Sequence, residues 1–216
     1  MSFEGYSPET VDFLWGIRLN NNREWFLQNK QNYVNYLYEP TKALGKELFQ
    51  PFLDKSGDLL KVSRIYRDAR MHHPLPYKES LWLSIRQDVD WWAENPTLFF
   101  EINPDGVFYG FTFWKPRPAQ MKQFRQAITA DPQTILDLVA QVERSTGMTI
   151  MAEEYKRPEP CEKPELERFF RWKSNIGLTV ETPFSEATFG PGLAQTVGEL
   201  FEKLTPLYEY FTQFRV

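Results

Sequence analysis

The chain has a single cysteine, Cys161, among 216 residues. No intramolecular disulfide can form, which fits a reducing compartment. Histidine is almost as scarce: His72 and His73 are the only two. Neighbouring side chains diverge and no cysteine lies close by, so a metal site would have to draw on distant carboxylates. No metal or other cofactor is expected. Gly-x-Gly-x-x-Gly and the Walker-type loop are both absent, which removes the usual glycine-cradled nucleotide phosphates. No Gly-x-Ser-x-Gly elbow supports a serine nucleophile. No apolar run reaches the ~18 residues that suggest a membrane span. The opening Met-Ser-Phe-Glu-Gly-Tyr has neither the basic nor the apolar region of a secretory signal. The expectation is a cytoplasmic protein without membrane contact. Net charge is −4, against the basic field of a general nucleic-acid binder. A local basic patch on such a chain suits a small anion better than a long polyanion.

Aromatic residues, in contrast, are plentiful: 18 Phe, 10 Tyr and 7 Trp. Their strand and helix spacing predicts an aromatic-rich core, and a stacking surface for bases or sugars is the functional alternative. Ser7-Pro8-Glu9 reads as a helix start, with Val11, Leu14 and Trp15 as its apolar stripe. Asn20-Asn21-Asn22 breaks that helix, and Asn21 with Glu24 resembles a capping box for the next. Pro40 opens a third helix that should fail near Pro51.

The period then changes. Leu81, Leu83 and Ile85 alternate with Trp82, Ser84 and Arg86, Leu98 to Ile102 is a short apolar run, and Asn103-Pro104-Asp105-Gly106 is a hairpin turn. Val107, Tyr109, Phe111 and Phe113 alternate after it. Helical spacing returns after Pro116 and Pro118, restarts at Asp131-Pro132 and ends near Gly147. The charged, proline-bearing stretch 153–165 reads as a surface loop, Leu166–Trp172 as a short helix, and Leu193–Phe211 as the last helix. The fold class is α+β: a central antiparallel meander of about four strands over residues 60–114, flanked by N-terminal and C-terminal helices in a single domain, 1–216.

The chemistry-bearing stretch is Arg64-Ile-Tyr-Arg67-Asp68-Ala-Arg70, followed by Tyr77-Lys78. Guanidinium forks suit carboxylate or phosphate. If 62–68 is extended, Arg64, Tyr66 and Asp68 point one way and Ile65 and Arg67 the other. Asp68 is placed to fix one arginine by a bidentate pair, leaving the others for a ligand. An Arg–Asp network pinning a loop to a sheet edge is the structural alternative. A second basic run, Lys115, Arg117, Lys122 and Arg125, contains no acid, and Lys122 and Arg125 share a helix face. Arg168, Arg171 and Lys173 form a third group. Cys161 lacks an activating neighbourhood and reads as an inert thiol.

This stretch resembles the hallmark of DUF2461, a family of uncharacterised bacterial proteins: Arg-x-x-Arg-Asp-x-Arg-Phe, three residues, Asp or Asn, Lys, two residues, Tyr. Arg64, Arg67, Asp68, Arg70 and Tyr77 match it. Met71 replaces the phenylalanine, and the spacer to Tyr77 is two residues shorter. His72-His73-Pro74 stands where the Asp/Asn-Lys pair would fall, which leaves Lys78 to take the lysine's place. Asn21–Phe26 and Pro76–Lys78 extend the resemblance over most of the chain. It implies no particular activity, cofactor or partner.

Two functions fit these residues. In one, Arg64, Arg67 and Arg70, with Lys78 and Lys115, bind a small phosphate- or carboxylate-bearing ligand, and Asp68 or Tyr77 moves a proton if there is chemistry. In the other, the chain is a non-catalytic protein-interaction module and the Arg/Asp cluster is scaffold.

Overall fold

The computed structural model describes residues 2–55, 57–68, 70, 74–89 and 91–214. Its N-terminal third is helical: α1 (Pro8–Leu19), α2 (Arg23–Asn32) and α3 (Glu39–Phe49), with a π-helical stretch Tyr33–Tyr38 carrying α2 into α3. Four strands follow, β1 (Asp58–Val62), β2 (Leu81–Gln87), β3 (Thr97–Asn103) and β4 (Gly106–Phe113). Then come α4 (Pro118–Ala130), α5 (Pro132–Thr146), β5 (Met151–Glu154), α6 (Glu167–Arg171), β6 (Trp172–Thr182), α7 (Glu186–Phe189) and α8 (Gly192–Thr212). The α+β class and the four-strand meander agree with the sequence pattern. The sheet itself is larger: six antiparallel strands in the order β1-β2-β3-β4-β6-β5.

The two extra strands lie outside the expected meander: β5 takes only residues 153 and 154 of the loop expected at 153–165, and β6 follows the short helix. β5 is an edge strand of Met-Ala-Glu-Glu with no buried residue, so it offers no alternation to read. Its pairing with β6 is irregular, with bulges between Met151, Glu153 and Glu154. β6 follows α6 without a break, and Asn175 takes a positive φ of 51° within it. The buried Trp172, Ile176 and Leu178 keep alternate positions on either side of it, with the polar Ser174 between them. The cap of α2 is also corrected. Asn22 is the N-cap and accepts from Trp25 N–H, while Asn21 is used elsewhere. Pro40 lies in the first turn of α3, where its missing N–H costs little.

By its contacts the chain divides into two compact units. The first comprises Met1–Ile85, Phe99–Tyr109 and Val180–Gly198. Its core is Phe13, Leu14, Ile17, Phe26, Leu37 and Leu44 from the helices, with Ile65, Leu81, Leu83, Phe100 and Ile102. Tyr6 shares a buried hydrogen bond of 2.9 Å with the Thr41 hydroxyl. The second unit comprises Arg86–Leu98, Gly110–Thr179 and Glu199–Val216. Its core is the expected aromatic cluster, in which Phe124 lies 5.3 Å from Phe211 and Phe169 meets Trp172 edge-on at 4.9 Å. Gly147 closes α5 in the left-handed region, φ 70°. Among the described residues no helix is long and apolar enough to cross a membrane.

Gly110 in β4 has φ +156°, and a methyl group there would stand 2.0 Å from the Leu178 carbonyl oxygen. The close passage of β4 and β6 therefore requires glycine. Gly110→Ala is expected to lower the free energy of unfolding by about 2–3 kcal/mol, measured by urea denaturation.

Candidate functional site

The arginine segment continues β1 as an extended arm. Residues 63–67 run antiparallel to 76–82: Ser63 N–H donates to Trp82 O at 2.8 Å, Lys78 N–H to Ile65 O at 2.7 Å, and Arg67 N–H to Pro76 O at 2.9 Å. A bridge joins Tyr66 and Tyr77. The pairing puts Ile65 in the core and leaves Arg64 and Tyr66 in solvent, as strand parity requires. The register is clamped from the α1–α2 turn. Asn21 Nδ2 donates to Tyr77 O at 3.0 Å, and Tyr77 N–H donates to Asn21 Oδ1 at 3.1 Å. The Tyr77 ring is buried and stacked on Phe26 with centroids 4.2 Å apart. Burial pushes its phenol up from the ordinary value.

Arg64, Arg67 and Lys78 come together here. Burial, with Arg64 and Arg67 adding to it, lowers the Lys78 ammonium pKa, and Glu101 pulls it back up. The ammonium sits 5.5 Å from the centroid of the Trp82 ring. Arg67 is half-buried, and its Nε is enclosed without a hydrogen-bond partner. Among the described residues its one ion-pair partner is Glu79, whose Oε1 lies 3.9 Å from an Arg67 Nη. Glu79 is committed more tightly elsewhere: its Oε2 accepts from Arg18 Nε at 3.0 Å. Arg18 in turn holds Asp105 through both of its terminal nitrogens, at 3.1 and 3.3 Å. Among the described residues Arg64 and Lys78 have no ion-pair partner.

Arg70, Arg117, Arg168 and Arg171 are matched to acids. Asp68 receives Arg70 Nε at 3.0 Å and Nη2 at 2.6 Å, so the bidentate pair closes locally on a largely exposed guanidinium. Arg168 donates to Glu143 at 2.6 Å, Arg171 to Glu154 at 2.7 Å, and Arg117 to Glu94. The third basic group is thus built into the fold of the second unit. Lys115 also belongs to that unit; it is exposed, with its ammonium 4.3 Å above the Trp114 ring. The Cys161 thiol donates to the Lys163 carbonyl at 3.1 Å. His72 and His73 lie outside the described residues. Among the described residues no group of three or more His, Cys, Asp or Glu could hold a metal.

Sequence reasoning missed Arg18, Glu79, Glu101 and Asp105. Glu101 carried a faint signal, as the polar member of an alternating run between Phe100 and Ile102. Arg18 carried none, because its partners are 61 and 87 residues away.

Native Lys78 gives up its proton more readily than a lysine of the unfolded chain, whose value is the ordinary 10.5. Its charge therefore opposes folding at neutral pH, and the penalty fades as pH rises towards that value. Lys78→Met is expected to be more stable than the parent at neutral pH, with a narrower gap at alkaline pH. Paired urea denaturations at the two pH values measure this.

No curated protein matches the chain. The model of the family described as "conserved hypothetical protein (DUF2461)" matches residues 9–210, which takes in the clamp, the arm and most of α8. The chain belongs to the DUF2461 family.

Proposed function

We propose that this chain is a cytoplasmic binder of a small phosphate- or carboxylate-bearing molecule, held by Arg64, Arg67 and Lys78. The observation that carries this reading is their unbalanced charge. Three cations lie near one another in the first unit, with Arg64 and Arg67 both acting on Lys78, where Glu79 is engaged mainly by Arg18 and Glu101 offsets the Lys78 depression only in part. An anion placed among them supplies the missing charge and the acceptors for the guanidinium forks. The lone cysteine supports a reducing location. Asp68 is held by Arg70 and Tyr77 is packed against Phe26. The reading therefore rests on binding and assigns no reaction.

One observation favours the scaffold alternative: Arg18, Glu79 and Arg67 form a connected chain that ties α1 to the arm. The two readings part at Arg64, which is exposed and takes no share in that chain. A thermal-shift series against inorganic phosphate, citrate and a sugar phosphate is the test. A ligand at a hundred times its Kd stabilises the native state by about 2.7 kcal/mol. The parent is expected to rise with one of these anions, and Arg64→Ala to melt like the parent but lose the rise. An unresponsive parent, with Arg67→Ala melting much lower, would instead make the arginines scaffold.

A further inference from the structure

The basic pair Lys122 and Arg125 takes no part in the proposed site. It lies wholly within the second unit, on one face of α4. Arg125 is an unusual arginine, only 6% exposed. Its terminal nitrogens reach main-chain carbonyls alone: Met121 O and Phe170 O, both at 3.4 Å, and Trp172 O at 3.1 Å. Its Nε has no acceptor, and the guanidinium lies 5.1 Å from the centroid of the Tyr155 ring. Among the described residues no carboxylate pairs with it. Carbonyl dipoles and a ring face satisfy donors, but they do not neutralise a buried unit charge. Elsewhere in the same unit Arg117, Arg168 and Arg171 each have a carboxylate of their own.

Arg125 lines a cavity of about 480 Å³ together with Lys122, Gln126, Thr129, Glu159 and Phe170. That volume is within the range of small-molecule sites. Lys122 and Arg125 against Glu159 leave the wall with one net positive charge, and the Phe170 ring supplies an apolar surface. A second cavity, of about 320 Å³, shares Glu159 and Phe170.

We propose that this cavity binds an organic monocarboxylate with an apolar body. The carboxylate meets Lys122 and the guanidinium edge of Arg125, and the body lies against Phe170. A single negative charge balances the wall, whereas a phosphate dianion would overshoot it and leave the ring unused. The site is independent of Arg64, Arg67 and Lys78.

The test is isothermal titration of the full chain with phenylpropionate, with phenylpropylamine and inorganic phosphate as controls. Saturable binding of phenylpropionate is expected, unchanged in Arg64→Ala and weakened about tenfold in Lys122→Ala, the effect of losing one charged hydrogen bond. Lys122 is exposed, so its variant should fold even if Arg125→Gln does not. Lack of saturable binding by the parent would overturn the proposal. So would equal binding by Lys122→Ala, loss of binding in Arg64→Ala, or a preference for the amine or for phosphate.

Discussion

Whether Arg64 faces solvent or the core is decided by the register of 63–67 against 76–82. A slip of one residue would exchange the faces, turning Arg64 and Tyr66 inward and Ile65 out. The slip would bury at least one guanidinium and expose an apolar residue that is now 1% accessible. The register is held by more than its own ladder. Asn21 makes both of its hydrogen bonds to the backbone of Tyr77, contributing about 1 kcal/mol each. Phe26 stacks on the Tyr77 ring, and the Tyr33 hydroxyl meets the backbone of Ile65. Residues of the N-terminal helices thus determine which way the cations of a distant sheet extension point.

The contrast among the arginines gives the charge distribution its meaning. This chain readily supplies carboxylates to arginines, as at Arg18, Arg70, Arg117, Arg168 and Arg171. Surface pairs of this kind contribute little to stability, but they show what the fold does with a guanidinium that has only structural work. Arg64, Arg67 and Lys78 are treated differently. They repel one another, and Lys78 is partly desolvated between them. An arrangement that opposes folding and is compensated only in part, by Glu79 at Arg67 and Glu101 at Lys78, is where a functional demand is expected.

Much of the architecture could be read from the sequence because it rests on short-range physics. Ser7-Pro8-Glu9, the Asp131-Pro132 restart and the Leu193–Phe211 stripe placed α1, α5 and α8 closely. Alternation over 81–86 and 107–113 placed β2 and β4. β5 was illegible because an exposed edge strand buries nothing, and β6 starts directly from α6 with polar residues at 173–175 before its apolar alternation begins. Choosing Asn21 over Asn22 as the cap failed for a related reason: both can cap, and what separates them is the demand of Tyr77, 56 residues away. At the site, density alone picked out Arg64 and Arg67. Nothing local distinguished them from Arg70, which the chain closes on Asp68 two residues back. The acids Glu79, Glu101 and Asp105 became visible only when folding brought them near.

These contacts also bear on what kind of work the cations can do. Proton transfer at neutral pH needs a group with a pKa near that pH and an unobstructed path to the ligand. Tyr77 meets neither condition, being buried with its phenol pushed up. Asp68 already accepts three hydrogen bonds from Arg70. Arginine does not deprotonate. Within the Arg64, Arg67 and Lys78 set, only Lys78 has a proton whose binding the surroundings can adjust. An anion seated between the arginines would offset the repulsion that lowers the Lys78 pKa. In the proposed reading, ligand binding and proton retention at Lys78 are therefore one coupled equilibrium. Affinity should weaken as pH rises past the native Lys78 value, where the third positive charge is lost. A scaffold role carries no such coupling, because the Arg18–Glu79–Arg67 chain does not include Lys78.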